Sequence, residues 1–97
     1  MITILLTYDV NDFLEWKRIF NTNKENRVVN KIKVIGVYID IEYSNKVTII
    51  LEAPSVEAFE FHFFKQPNIA GELIKCAIIK QPEIKYLKNI LPINSEL

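Results

Sequence analysis

The chain has one cysteine, one histidine, one tryptophan and two glycines in 97 residues, and no excess of either charge. Each shortage excludes something. A lone Cys76 cannot close an internal disulfide, which fits a reducing cytoplasm. Two glycines, Gly36 and Gly71, are too few for the glycine-rich loops that cradle phosphates, so the usual nucleotide-binding folds are out. A single His62 with no cysteine or carboxylate cluster at ligand spacing makes no metal site. Twelve basic residues balance twelve acidic ones, leaving no concentrated positive patch for nucleic acid. The basic residues between Lys17 and Lys33 are interleaved with Glu25 and neutral side chains and read as a solvated helix surface. No apolar run reaches the roughly 18 residues that span a bilayer. Residues 2–6 also lack the basic flank and length of a signal peptide. The expectation is a cytoplasmic protein with no nucleic-acid or membrane partner, no metal and no cofactor.

What the chain does have is patterned hydrophobicity, at 49% of residues. Residues 2–8 are rich in β-branched side chains and predict a strand. The Asp9-Val10-Asn11-Asp12 stretch offers turn and cap oxygens, and a helical period then predicts a helix from residue 12 to about 30. Residues 33–42 alternate, with Ile35, Val37, Ile39 and Ile41 on one face and Val34, Gly36, Tyr38, Asp40 and Glu42 on the other. A turn at Tyr43-Ser44-Asn45-Lys46 and a strand over 47–52 complete a hairpin. Pro54-Ser55 opens a helix to about residue 65, capped by Ser55, with Val56, Phe59 and Phe63 inward and His62 on a partly exposed flank. Pro67 starts a short helix to about Cys76, whose thiol reads as a small buried hydrophobe. An apolar bridge over 77–79, a last strand over 83–88 and an irregular or partner-docked tail over 89–97 finish the chain.

With no internal repeat or linker, residues 1–97 read as one domain. The order strand, helix, strand, strand, helix, strand predicts a ferredoxin-like α+β fold, βαββαβ: a four-stranded antiparallel sheet with helices on one face. Apolar side chains fall on both faces of the strands, more than one helical layer covers. A homodimer through the open sheet face is the economical partner.

The first helix carries the candidate site. Trp16, Phe20, Asn23 and Arg27 are spaced four, three and four apart and, at about 100° per residue, share an arc of roughly 60°. A helix that buries Trp16 and Phe20 carries Asn23 and Arg27 toward the same covered surface. Buried amide and guanidinium groups need partners, because desolvating them unpaired costs several kcal/mol. Either a ligand supplies them, or Arg27 pairs with Asp9, Asp40, Glu42 or Glu52 across the helix–sheet seam.

Three segments, in order, have a familiar form: Trp16-Lys17-x-x-Phe20 followed by Arg27; Val47-x-Ile49-Ile50-Leu51-Glu52; and Phe63-Phe64-Lys65-Gln66-Pro67 leading to Pro82-Glu83-Ile84-Lys85-Tyr86-Leu87. On these the chain resembles the dimeric α+β barrel superfamily, which includes small antibiotic-biosynthesis monooxygenases and cyclase-like proteins. The resemblance implies a homodimer whose two sheets close a barrel. It also implies a cavity between each sheet and its own helices for a small, often aromatic ligand. Where the cyclase-like subgroup has a histidine on the first helix, this chain has Asn23, which hydrogen-bonds but does not titrate. A glycine of the subgroup is Ala77 here. Heme-degrading relatives use an asparagine on the first strand, where this chain has threonines, so heme is not expected.

The function expected from the sequence is therefore binding of a small aromatic or anionic ligand, with Trp16, Phe20, Asn23 and Arg27 lining the site and phenols of Tyr8, Tyr38 or Tyr86 within reach. One alternative is a cofactor-independent monooxygenase or isomerase/cyclase, in which Arg27 stabilises an anionic intermediate and Tyr38 or Tyr86 moves the proton. Another is a structural or interaction dimer without a ligand.

Overall fold

The structure, a computed structural model, describes residues 1–65 and 82–90. The expected short helix ending at Cys76, the apolar bridge after it and the tail beyond residue 90 lie outside the described residues.

Strand β1 (Ile2–Asp9) places Ile4, Leu6 and Tyr8 on one face, at most 2% exposed. It is central because both its edges are paired. Strand β3 (Lys46–Ala53) runs antiparallel on one side, and β4 (Glu83–Leu87) runs antiparallel on the other. Strand β2 (Lys33–Ile39) adds to the outer edge of β3, giving the order β2-β3-β1-β4. Val47, Ile49 and Leu51 of β3 continue the inner face, and Trp16, Ile19, Phe59 and Phe63 cover it. This is the expected ferredoxin-like α+β sheet with helices packed on one face. No helix of the described residues is long and apolar enough to cross a membrane.

The helical layer differs from expectation in one way that matters. Helix α1 (Phe13–Thr22) starts where Asp12 Oδ1 accepts from the Leu14 and Glu15 amides, at 3.0 and 3.3 Å. It stops at Asn23, and a separate helix α2 (Lys24–Val29) follows. The Ile19 carbonyl is taken by side chains, the Thr22 hydroxyl at 2.7 Å and Asn23 Nδ2 at 3.2 Å. The Asn23 amide turns back instead to Phe20 O at 3.3 Å. Polar side chains that compete for backbone carbonyls break a helix locally, so the single helix expected over 12–30 is two. α2 ends in a Schellman motif, with Lys31 at φ 61°, Lys31 N–H on Val28 O at 3.0 Å and Ile32 N–H on Arg27 O at 2.8 Å. That turn buries Ile32 and feeds β2 into the sheet.

β2 also departs from simple alternation. A bulge between Val34 and Gly36 resets the register, so Val34, Val37 and Ile39 face inward opposite Leu51, Ile49 and Val47. The strict two-residue period would have put Val34 on the opposite face from Val37. Ile35, in the bulge, is 48% exposed. Beyond the strand, Asp40 Oδ2 accepts from the Glu42 and Tyr43 amides at 3.0 and 3.1 Å, closing the loop and leaving Ile41 fully exposed. On the sheet's open face the Tyr38 ring lies across Gly36, where an added Cβ would stand 2.6 Å from the Tyr38 hydroxyl oxygen. A side chain at that position would displace the exposed Tyr38 ring.

Helix α3 (Val56–Glu60) is capped as expected, Ser55 Oγ accepting from Ala58 N–H at 3.1 Å. Past Glu60 the helix widens into a π turn over Phe61–Lys65. His62 in this turn is buried, at 5% exposed, where a flank position was expected. The cause is a neighbour: α2 and its cap cover that flank, and Asn30 Nδ2 reaches His62 Nδ1 at 3.3 Å.

Candidate functional site

A partly open cavity lies between the sheet and the helices. Its volume is about 40 Å³, opening through a mouth into about 480 Å³ of free space. Leu6, Ile49 and Leu51 make an apolar floor, because alternation on β1 and β3 points them at the helices. Trp16, Ile19 and Phe20 of α1 form one wall, with Asn23 and Arg27 continuing it past the helix break. Tyr8, Ile32, His62 and Phe63 also line it among the described residues.

The wall is a stack of planar groups. Phe13 and Trp16 stack at 5.8 Å between centroids, Trp16 and Phe20 at 4.9 Å, and the Arg27 guanidinium carbon sits 3.9 Å above the Phe20 ring. Spacings of three and four residues bring these groups one above another. The Arg27 contact is a cation–π pair. Trp16 Nε1–H donates to the Tyr8 hydroxyl, which satisfies a buried indole and ties α1 to the central strand.

Arg27 is 8% exposed. One of its donors, Nη1–H, reaches Phe20 O at 2.6 Å. No carboxylate of the described residues lies within ion-pair distance of it, so the pairing considered with Asp9, Asp40, Glu42 or Glu52 is not made. Burial pulls its pKa below the ordinary guanidinium value, with the nearby Tyr8 acting in the opposite sense. An arginine keeps its proton regardless. The site therefore holds a buried cation beside a cavity, with no carboxylate of the described residues paired to it.

His62 is the residue that sequence periodicity missed. Burial first, and then the Arg27 charge, push its imidazole down to about 4, so it is neutral at physiological pH. Its tautomer follows from its neighbour. Asn30 Nδ2 also donates to Asn26 O at 2.8 Å, and a carbonyl only accepts, which fixes the orientation of the Asn30 amide. His62 Nδ1 must then accept from that same amide nitrogen, and the imidazole proton resides on Nε2.

Of the residues expected to line the site, Trp16, Phe20, Asn23 and Arg27 come together around the cavity, and Tyr38 and Tyr86 do not. Tyr38 is on the opposite face of the sheet, opposite Thr48. Tyr86 lies on the helix face but at the far edge strand, against Phe59 at 6.0 Å. The phenol that does reach the cavity is Tyr8. Among the described residues no group of three or more histidine, cysteine, aspartate or glutamate side chains is placed to hold a metal ion.

No protein-family model matches the chain, and no curated protein matches it in sequence. Solved structures do. An antibiotic biosynthesis monooxygenase superposes with a TM-score of 0.69 at 8% identity, covering 94% of this chain and all of the other. A Caulobacter crescentus protein provisionally named an antibiotic biosynthesis monooxygenase gives 0.70 at 16% identity, over 93% of this chain and 90% of that one. Rv0793 from Mycobacterium tuberculosis gives 0.68 at 6% identity, over 96% and 98%. Identities this low carry the fold and nothing finer. The chain has the ferredoxin-like α+β fold of the structures named as antibiotic biosynthesis monooxygenases.

Proposed function

We propose that this protein binds a small aromatic or anionic ligand in the cavity between its sheet and first helices. The observation that carries the reading is Arg27: an arginine only 8% exposed, with no carboxylate partner among the described residues, at the edge of a cavity. A protein that left this charge unmatched would bear an uncompensated desolvation cost. A ligand anion offsets it, and the stacked rings of Trp16 and Phe20 suit a flat apolar body.

Trp16 is the only tryptophan, so its fluorescence reports on the site without interference. Titration with benzoate is expected to quench it saturably. Arg27→Gln, its fold checked by circular dichroism, is expected to weaken that binding by about tenfold or more, the usual value of a charged hydrogen-bonded contact. Native mass spectrometry of freshly purified protein is the companion experiment. No retained small molecule and no quenching by any small monocarboxylate would favour a structural dimer without a ligand.

A second reading is a cofactor-independent monooxygenase or isomerase/cyclase, and the names carried by the structural neighbours favour it. Tyr38 and Tyr86 are then poor proton carriers, since neither borders the cavity, and Tyr8 takes their place. Turnover of the retained ligand, lost in Arg27→Gln, would decide for the enzyme.

The binding unit proposed is a homodimer joined through the open sheet face, in a reducing cytoplasm that suits the lone cysteine. The half-buried Leu5 and Ile50 and the exposed Tyr38 and Leu87 on that face support it, as an apolar surface that the helices do not cover. Light scattering is expected to return twice the chain mass of 11.4 kDa at micromolar concentration. A monomer would rule the dimer out.

A further inference from the structure

Two buried groups at one cavity have donors to spare and, among the described residues, no acceptor to meet them. Arg27 uses one guanidinium hydrogen on Phe20 O. His62 is 5% exposed, accepts at Nδ1 from Asn30, and has no hydrogen-bond partner at Nε2 among the described residues. Buried polar hydrogens nearly always meet a partner, so two such groups at one void make a place suited to an acceptor. Both side chains border the same space. We infer that Arg27 and the Nε2–H of His62 together bind the anionic oxygen of a monoanionic, flat oxyacid, with Asn30 as the positioning residue that holds the imidazole in the donor tautomer.

The chemical class follows from counting what the wall supplies. Among the described residues Arg27 is its one permanent cation, His62 is neutral, and the other titratable group there is Tyr8 of β1; α1 and β3 contribute only neutral side chains. One positive charge matches a carboxylate or phenolate better than a phosphate dianion. The floor of Leu6, Ile49 and Leu51 and the ring of Phe20 leave an apolar slot for the rest of the molecule. The same tautomer argues against metal ligation by His62, since a ligating imidazole offers a lone pair toward the metal and donates its other N–H outward. Here the proton faces the opposite way.

This inference rests on the ligand-binding reading above, and the experiment separates the two. His62 is the only histidine, so long-range proton–nitrogen spectra of labelled protein show one imidazole and report its tautomer without assignment. In the free protein the proton is expected on Nε2, and Asn30→Asp, whose carboxylate can only accept, is expected to move it to Nδ1. Saturation with benzoate or formate is expected to raise the His62 titration midpoint by a unit or more, because a bound anion favours the imidazolium. The neutral isostere benzamide is expected to leave it in place. His62→Leu is expected to weaken benzoate binding several-fold, and His62→Gln, which keeps an N–H donor, to recover part of the loss. A proton on Nδ1 in the free protein overturns the inference, as does an unchanged tautomer in Asn30→Asp. Arg27-dependent quenching of Trp16 by benzoate with an unmoved His62 midpoint overturns it too, while leaving the ligand-binding reading in place. Absence of any quenching and of any retained ligand removes both.

Discussion

Replacing Trp16 with alanine is expected to cost about 3–5 kcal/mol of stability, the usual range for deleting a fully buried aromatic. The residue is 1% exposed, stacks on Phe13 and Phe20, meets Tyr8 edge-on at 5.9 Å between centroids, and donates to the Tyr8 hydroxyl. Alanine deletes the middle of the aromatic stack and leaves the buried Tyr8 hydroxyl without that donor. Domains of this size are typically stable by about 5–15 kcal/mol, so the loss is a large share of the total. Thermal unfolding followed by far-ultraviolet circular dichroism should show a midpoint lower by about 12 °C or more, at about 4–8 °C per kcal/mol. Trp16→Phe separates the two contributions: it keeps much of the stack, loses the indole N–H, and should cost about 1–3 kcal/mol. A midpoint lowered by less than about 5 °C in the alanine variant would mean that the stack closes over the gap without strain.

The second large effect is acid sensitivity through His62. Its folded pKa is about 4, against about 6.5 for a free imidazole. The unfolded chain therefore binds this proton first as pH falls. The stability held by neutral His62 is complete above pH 6.5 and drains away as pH drops toward 4, below which the group adds no further slope. The two values differ by enough to cost about 3 kcal/mol in full, of which about 2 kcal/mol is gone by pH 5. Urea midpoints measured at pH 7 and pH 5 test this, with His62→Gln as the control in which this part of the slope vanishes. Equal midpoints in the unmodified protein would show that protonated His62 is tolerated in the fold. A bound carboxylate should flatten the same limb, because it lifts the folded pKa toward the unfolded one.

Much of this was legible in the residues, and the parts that were not share a cause. The Trp16, Phe20, Asn23, Arg27 stripe survives the break at Asn23 because the break falls between the last aromatic and the charge, and four-residue spacing persists on either side. The alternation of Ile4, Leu6 and Tyr8 fixes which face of β1 meets the helices. The bulge at Ile35 was illegible because period-two reasoning has no signal for an inserted residue, and a shift of one flips every side chain after it. His62 was misplaced for a different reason. Helical angle tells which side of its own helix a residue occupies, and says nothing of what another element lays over that side. The covering piece, α2, exists as a separate segment only because Thr22 and Asn23 compete for the Ile19 carbonyl. Tyr38 and Tyr86 were candidates on residue type alone, and strand register sends the first to the wrong face and the second to the wrong edge.

The break at Asn23 has one further consequence. It makes α2 a six-residue cover that carries Arg27 on its body and Asn30 at its cap. The charge of the site and the amide that orients its imidazole thus ride on one short piece of backbone. A shift of that piece would move the cation and release the histidine's proton placement together. Charge and tautomer are geared to each other by covalent chain, and the site has either both or neither.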